Sequence, residues 1–514
     1  MTARTLTPKT LIPKFSTAAI LLLFTVALLL IASGDGWFRM QAHRTDVAWF
    51  FMCGKSWMSG LIPYTDFADS KGPLLWLIYG LGYLISPHNL HGVFIFEILF
   101  YWATFTILFK AADLFIHNRC QALISSMAIA LIFFAPGIHQ EILVEDYAHL
   151  FNAVAFYLLL RNFAEKKSRP LDGLWFGLIC GAALLTKFSY AFTLGVPALC
   201  LFVYLIFKKG KWLRFLLLFV AGITAITLPF VIYFLSVGAF DDFIREYFLN
   251  TFSTISTVSR EETAAGESIA LRLPLNAAIL YLRYHIITGF MWIVFVALCL
   301  GVYLFRKSGW LAATLILWYI VCVGVCAVVG FAHFNYFLNL SIFSFGGIML
   351  ISSLLPRLGT EDSVIIGGCL LVIVAINSTY IKYSEFYHVR SDYEMNKQLD
   401  KVAYIINQKE KELGRRPTLS YYYMGEKGEH ILTNAVAGGR YWSVQAGMTP
   451  RMLDLHEQEI FSKRPDFIIV EASDTLHTKK LEENGYEKVL TYELNPGLYE
   501  DFRIFSSLYT LKNE

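Results

Sequence analysis

The sequence has little charge for its length. Charged residues make up 16% of its 514 residues and hydrophobic residues 56%, whereas soluble globular chains carry roughly 25% charge. The mean hydropathy of +0.52 agrees with this imbalance. A soluble globular protein is therefore excluded as the class of the whole chain, and the composition indicates a polytopic membrane protein. The net charge of +3 is too small to indicate binding to nucleic acid.

The sequence also lacks the common short motifs of catalysis and metal binding. It has no GxSxG elbow, no HExxH zinc helix and no Walker A loop. No CxxC pair occurs among its eight cysteines, so neither a disulfide framework nor a zinc knuckle can be read from them. All of them precede the polar C-terminal tail: Cys53, Cys120, Cys180, Cys200, Cys299, Cys322, Cys326 and Cys369. If the protein uses an activated donor, that donor is expected to be membrane-borne.

Long apolar runs dominate the first three quarters of the chain. Most are long enough for a bilayer core of roughly 30 Å, which takes about 20 residues. The first run follows Lys9 and Lys14 and lacks a small-residue cleavage site, which predicts an anchor helix rather than a signal peptide. The runs are 15–34, 93–116, 121–136, 148–163, 172–187, 189–207, 212–236, 286–305, 310–332, 336–355 and 363–381.

A twelfth apolar run, residues 72–87, is shorter and is interrupted by glycine and proline. The positive-inside rule decides whether it spans. If it does not, three basic clusters fall on the cytoplasmic side together with the N-terminus: Arg161/Lys166/Lys167/Arg169, Lys208/Lys209/Lys211/Arg214 and Arg306/Lys307. We therefore predict eleven spans in the cytoplasmic membrane, with 72–87 as a re-entrant or juxtamembrane helix.

The tail, residues 382–514, differs from the preceding membrane domain, residues 1–381. It is rich in Lys, Glu and Asp and holds no spanning run. Residues 418–424 and 466–471 read as short strands, and 394–413 as a polar helix with apolar positions at helical spacing. Alternating strands and helices predict a small α/β domain, which the topology places on the periplasmic side.

The stretch Asp69-Ser70-Lys71-Gly72-Pro73 is the main candidate for a functional site. Ionisable residues are expensive near a bilayer, so a functional site is the default interpretation where they persist. A proline at the start of an apolar run suits a helix N-terminus, where free N–H groups bind anions. Asp46 lies upstream in the same outward segment. The alternative is that these are ordinary loop charges, including an Asp–Lys ion pair.

Other polar residues lie at the predicted outer ends of spans. Glu145 and Asp146 precede one span and could be catalytic carboxylates or helix-capping residues. Lys187 ends another span and could bind an anion or simply snorkel to the interface. His333 and Tyr336 lie at the outer end of a third, where a lone histidine is more often structural than catalytic.

Taken in order, these residues resemble the GT-C superfamily of polyprenyl-phosphate-dependent glycosyltransferases. The resemblance covers about residues 15–350 and is greatest to the bacterial branch that includes protein O-mannosyltransferases and the aminoarabinose transferases of lipid A. Its most specific element is the string from Pro63 to Leu75 (PYTDFADSKGPLL). The other elements are the early Asp46, the pair Glu145-Asp146, the Leu-Thr-Lys ending at Lys187, and His333 with Tyr336.

The resemblance implies an inverting transferase that moves a sugar from a lipid phosphate to an acceptor hydroxyl at the outer face of the membrane. It implies a GT-C-like fold, a polyprenyl-phosphate-linked sugar donor, and an envelope glycan, lipid or protein as acceptor. No cofactor is certain, although a divalent cation is possible. Asp46 is the candidate base. The other implied roles are phosphate or substrate binding for Lys71, Lys187, His333 and Tyr336, and acceptor orientation or cation binding for Asp69, Glu145 and Asp146.

Two other functions stay open from the sequence. A flippase or transporter of lipid-linked glycans would place its charges near the bilayer midplane, whereas here they cluster at one face. A non-catalytic scaffold for envelope assembly would use its tail to bind a partner. It predicts that replacing Asp46 leaves activity in cells unchanged.

Overall fold

The structure is a computed structural model. It describes these residues: 14–33, 45–135, 144–164, 169–251, 285–329, 334–356, 359–381, 388–422, 428–444, 448–493 and 505–512.

Apart from an isolated bridge between Pro63 and Phe67, the regular secondary structure of the described part of the membrane domain consists of helices. In chain order they are α1 Lys14–Ala32, α2 Thr45–Met58, α3 Pro73–Ile85, α4 His91–Ile116, α5 Arg119–Ala128, α6 Ala130–Phe133, α7 Val144–Ala164, α8 Leu171–Leu184, α9 Phe188–Phe207, α10 Trp212–Ser236, α11 Phe240–Phe243, a π-helix Ile244–Leu249, α12 His285–Leu304, α13 Gly309–Val329, a 3-10 helix Phe334–Ser344, α14 Phe345–Leu354 and α15 Thr360–Ile381.

Each of the eleven predicted spans contains a helix, and the expected polytopic helical fold is confirmed. Within the described residues, five helical stretches are long and apolar enough to cross a bilayer: His91–Ile116, Phe188–Phe207, Trp212–Ser236, Gly309–Cys326 and Tyr336–Leu354. Shorter apolar stretches fall in four other predicted spans: Thr17–Ala32, Arg119–Phe133, Leu171–Thr186 and Gly289–Leu304.

The short apolar run 72–87 forms α3, which has 13 residues. At 1.5 Å per residue such a helix is about 20 Å long, too short for a core of roughly 30 Å. It packs tightly between α2 and α4, because a Cβ on Gly54 would lie 2.4 Å from Gly80 N and one on Gly92 would lie 2.0 Å from Gly82 O. Length alone does not distinguish α3 from α8, which has 14 residues and lies in a predicted span, so the interpretation of α3 as non-spanning stays a prediction from the basic clusters. The sidedness of the chain stays a prediction.

Close backbone contact also joins α8 to α10. Gly173 and Gly177 lie four residues apart on α8, and a Cβ on either would lie 2.2 Å or less from a carbonyl oxygen of α10. Gly222 on α10 approaches Leu174 O in the same way. Small residues at this spacing let membrane helices approach closely. This contact fixes α8, whose C-terminal end leads to Lys187.

The tail folds into a small α/β domain, as predicted. Its elements are α16 His388–Leu413, β1 Thr418–Tyr421, α17 Glu429–Leu432, β2 Val436–Ala437, α18 Pro450–Lys463, β3 Phe467–Glu471, α19 Thr475–Glu483, β4 Tyr486–Glu493 and β5 Phe505–Leu511. The sheet order is β2-β1-β3-β5-β4, parallel among β2, β1 and β3 and antiparallel where β5 joins β3 and β4. The predicted boundary at 381/382 falls between α15 and α16.

The tail domain packs directly on α2. Trp49 stacks on Trp442 with ring centroids 4.1 Å apart. Lys55 is fully buried and donates hydrogen bonds to the carbonyl oxygens of His430 (2.5 Å) and Thr433 (2.9 Å), at the C-terminal end of α17. A cation is favoured at that end of a helix. The tail domain therefore covers the part of α2 that carries Trp49 and Lys55.

Candidate active site

The loop before α3 carries Asp69 and Lys71 and is held in one shape by Tyr64. Tyr64 is fully buried and has a φ of 68°. Its N–H donates to Phe67 O (2.6 Å), and its hydroxyl donates to Lys71 O (2.9 Å). A non-glycine residue with positive φ is uncommon and often lies at a constrained functional turn. Tyr64 thus fixes the backbone at both ends of the loop, including that of Lys71.

The same loop is hydrogen-bonded to the turn between α8 and α9. Gly72 N donates to Thr186 O (2.8 Å), and Leu74 N donates to Leu185 O (2.9 Å). A Cβ on Gly72 would lie 2.1 Å from Leu185 O, so only glycine permits this approach. These bonds place Lys71 beside the turn that carries Lys187, which the sequence could not reveal across more than 100 residues.

Lys71 lies among negative and polar groups. Its Nζ is 3.3 Å from Ser70 Oγ and 5.8 Å from the centre of the Phe50 ring. Burial pushes the pKa of Lys71 down, but the charge of Asp69, with smaller contributions from Tyr336, Asp46 and Glu145, outweighs burial and holds the pKa above its ordinary value. Lys71 is therefore a fixed cation, and four of the predicted site residues lie within its electrostatic reach.

Lys187 is the second cation of the site. Its Nζ donates to Glu145 Oε1 at 2.8 Å, and both side chains are buried. The ammonium also lies 3.7 Å from the centre of the Tyr336 ring and 5.4 Å from that of Tyr190. A desolvated ammonium over an aromatic face gains about 2 kcal/mol. Lys187 is therefore held in place by a carboxylate and two rings rather than snorkelling to the interface.

Asp69 and Asp146 take up different positions in the site. Asp69 is buried; its Oδ1 accepts from Ser70 N (2.5 Å), and its Oδ2 has no hydrogen-bond partner among the described residues. Asp146 is also buried and accepts the hydroxyl of Tyr101 at 2.5 Å. Asp146 thus faces α4, next to Glu145, which faces Lys187. The adjacent carboxylates predicted from sequence have separate partners.

Asp46 lies in the first turn of α2 and is exposed, unlike the other carboxylates of the site. Its charge contributes to the environment of Lys71, which places it near the loop. His333 lies outside the described residues, so its predicted role stays a prediction. Tyr336 is in the 3-10 helix that follows, where it covers Lys187.

The described residues do not fit a divalent cation well. They contain no group of three or more His, Cys, Asp or Glu side chains that could hold a metal ion. Glu145 forms an ion pair with Lys187, and Asp146 accepts a hydrogen bond from the hydroxyl of Tyr101. The two carboxylates are therefore directed at different partners and do not form a shared cation site.

Several residues that shape the site were missed from the sequence. Glu97 is a buried carboxylate on α4 that accepts Ser33 Oγ at 3.1 Å and lies near Tyr101 and Tyr147. Its position is a signal that the sequence does contain: Glu97 is the only glutamate in the apolar run 93–116, and ionisable residues within such runs often mark functional sites. Arg440, on the tail domain, carried no such signal.

Comparison with known proteins supports this architecture. Residues 70–234 match the sequence family of dolichyl-phosphate-mannose-protein mannosyltransferases. The whole chain is similar in structure to ArnT from Cupriavidus metallidurans, solved with undecaprenyl phosphate bound (TM-score 0.56, 13% identity) and in the apo state (TM-score 0.56, 12% identity). In both cases the similarity covers 96% of this chain and 97% of the other. The chain has the fold of ArnT. No curated protein sequence matches it significantly.

The matched segment and the fold shared with ArnT agree with the resemblance read from the motifs. The matched family region contains Lys71, Glu145, Asp146 and Lys187, whereas Asp46, Asp69 and Tyr336 lie outside it. At 12–13% identity the likeness to ArnT concerns the fold. The family match covers residues 70–234, about a third of the chain, and the likeness to ArnT extends over almost all of it. The roles of individual residues are taken from this chain's own geometry.

Proposed function

We propose that the protein transfers a sugar from a polyprenyl-phosphate donor to an acceptor hydroxyl at the outer face of the cytoplasmic membrane. The acceptor is an envelope glycan, a lipid or a protein. The observation that carries the proposal is the pairing of residues 72–74 with residues 185–186, which brings two lysines together beside carboxylates. Two ammonium groups suit a phosphate, and a carboxylate suits the activation of a hydroxyl.

The proposed reaction is a single displacement. The acceptor oxygen attacks the anomeric carbon as its proton passes to Asp46. The bond from that carbon to the phosphate oxygen breaks, and its electron pair leaves with the lipid phosphate. Lys71 and Lys187 stabilise the charge that develops on the phosphate. Because attack and departure are on opposite faces of the sugar, the anomeric configuration inverts.

The environments of the carboxylates favour Asp46 as the base. Glu145 is paired with Lys187, and Asp146 accepts a short hydrogen bond from Tyr101. Asp69 is buried within the loop itself. Asp46 is exposed at the N-terminal end of α2 and close enough to Lys71 to sense its charge, so an acceptor can reach it.

The test combines cells and purified protein. Cells with and without the intact protein are compared for envelope glycans and lipid-linked sugars. Loss of one sugar together with accumulation of its lipid-phosphate donor supports the transferase. The Lys71→Ala variant should show the same defect and weak binding of undecaprenyl phosphate, whereas Lys479→Ala, at an exposed site on α19, should behave like wild type. A wild-type protein that moves lipid-linked sugar across vesicles without transfer would favour the transporter instead.

A further inference from the structure

Arg440 lies where the tail domain, the loop before α3 and the segment after α10 meet. Its Nε donates to Thr65 O at 3.2 Å, and its Nη1 is 3.4 Å from both Asp242 Oδ1 and Glu246 Oε1. Its backbone carbonyl accepts Ala68 N at 2.8 Å. One residue of the tail domain therefore contacts the loop at two positions, each only a few residues from Asp69 and Lys71.

The loop is consequently held from two sides. On the membrane side it is bonded to Leu185 and Thr186, and on the other side to Arg440. Thr65 Oγ1 also donates to Asp242 Oδ2 at 2.9 Å, so the carboxylate that faces Arg440 bonds the loop as well. The tail domain thus forms one of the two supports of the loop.

Glu246 connects this support to the second lysine. It is buried in the π-helix and accepts the hydroxyl of Tyr441 at 2.7 Å as well as the Arg440 guanidinium. Its neighbour Tyr247 donates to Leu184 O at 2.5 Å, at the end of α8 that leads to Lys187. Short π-helical segments occur frequently at functional sites. A single segment therefore contacts both Arg440 and the turn that carries Lys187.

We propose that Arg440 is a positioning residue through which the docked tail domain holds Lys71 in register with Lys187. This inference rests on the proposed function. It assigns the tail domain a task in the reaction: the phosphate site has its full affinity only while the domain is docked. A residue that merely joined two domains would affect stability and leave the affinity of the folded protein unchanged.

Arg415 provides a matched control. It is also an arginine of the tail domain with a charged partner, donating to Asp466 through Nη1 (2.7 Å) and Nη2 (2.8 Å). That pair lies within the domain and is more exposed. Arg415→Ala therefore removes a guanidinium and an ion pair without touching the loop.

The experiment measures binding of undecaprenyl phosphate to the full-length protein in lipid nanodiscs, together with its thermal midpoint. Arg440→Ala is expected to weaken binding about 10-fold, by analogy with the lower end of the loss seen when a residue that orients a metal ligand is removed. Arg440→Lys should recover part of the affinity, because it keeps the charge but not the fork of donors. Arg415→Ala should bind like wild type.

A double-mutant cycle shows whether Arg440 acts through Lys71. In a Lys71→Ala background, adding Arg440→Ala should cause little further loss. A full additional 10-fold loss, or wild-type binding by Arg440→Ala, overturns the proposal. So does an equal loss in Arg415→Ala.

If Arg440→Ala fails to fold, the binding of Arg440→Lys is compared with that of wild type and of Arg415→Ala instead. Wild-type protein that neither binds undecaprenyl phosphate nor transfers sugar overturns the proposed function as well, whereas wild-type binding with an unaffected Arg440→Ala overturns this inference alone.

Discussion

At the scale of single residues, the site separates its charges by burial. Glu145, Asp146 and Lys187 are buried and partnered, whereas Asp46 is exposed. Removing one member of a buried ion pair is strongly destabilising because it leaves an uncompensated charge. A variant of Glu145 or Lys187 that loses activity could therefore have lost it through unfolding rather than through a missing catalytic group. Replacing Asp46, which is exposed, leaves no uncompensated charge in the interior.

The first prediction concerns Asp46. Asp46→Asn keeps the shape of the side chain and removes its ability to accept a proton. We expect turnover to fall by roughly 10²-fold or more, the usual scale for general base catalysis, with undecaprenyl phosphate binding and thermal midpoint unchanged. Asp241→Asn, at another exposed aspartate, is the control. Sugar transfer by purified Asp46→Asn at the wild-type rate would refute the assignment and leave Glu145 or Asp146 as the base.

The second prediction concerns pH and Lys71. Because the pKa of Lys71 is raised by Asp69 and its other acidic neighbours despite burial, the lysine stays charged at all pH values below its unfolded pKa of about 10.4. Its contribution is lost only as pH rises through the still higher folded pKa. A phosphate monoester gains its second charge near a pKa of about 6. Affinity for undecaprenyl phosphate should therefore rise from about pH 5 to 7 and then stay level to about pH 9.5.

The arginine variant provides the control for this pH profile. Lys71→Arg is charged at every accessible pH, so its profile should have the same form as that of wild type. A fall in wild-type affinity between about pH 8 and 9.5 that the arginine variant does not share would mean that Lys71 loses its proton there, contrary to its environment.

At the scale of elements, the contact between the loop and the α8–α9 turn is decisive, and Gly72 makes it possible. In Gly72→Ala the new Cβ would meet backbone atoms of Leu185 at 2.1 and 2.3 Å, so the loop must move. A displacement of about 1 Å can lower a rate by 10²-fold. We expect a loss of sugar transfer of that order and a destabilisation of about 1–3 kcal/mol.

Gly195→Ala tests whether the effect is specific to this contact. Gly195 lies within α9, and a Cβ there meets nothing within 4 Å. Alanine is the better helix former by up to about 1 kcal/mol, so stability should be unchanged or slightly raised and transfer unaffected. If both glycine variants transfer sugar at the wild-type rate, the backbone pairing at Gly72 is not needed to align the lysines.

The sequence pattern predicts some residues of the site and not others. Lys71, Glu145 and Lys187 were identifiable because charges beside apolar runs are rare. The helices were predictable because their apolar runs are long. Arg440 and Glu246 lie in polar segments, where charges are common and none stands out. Their pairing across 194 residues depends on how the tail docks, which no local pattern encodes.

At the scale of the whole molecule, the docking of the tail limits the topology. The tail contacts α2 and the loop before α3, so these segments must lie on the same side of the membrane. The loop before α3 follows a single predicted span, α1. The tail can therefore lie on the same side as the loop only if the number of spans between the N-terminus and the tail is odd. Eleven spans with α3 outside the count satisfy this requirement, because the N-terminus is then cytoplasmic and both segments are outside.

The last prediction is the orientation of the chain. Reporter fusions after Lys167 and after Lys209 should report the cytoplasm, because both points lie in basic clusters that the positive-inside rule retains there. A fusion after Asn407, on α16, should report the exterior. If α3 spanned, the first two signals would reverse, and an exterior signal at Lys167 would contradict the eleven-span arrangement. A cytoplasmic signal at Asn407 would place the tail on the cytoplasmic side. Because Arg440 contacts the loop that carries Lys71, both residues would then face the cytoplasm, contrary to the predicted orientation. The three fusions together therefore decide on which side of the membrane sugar transfer takes place.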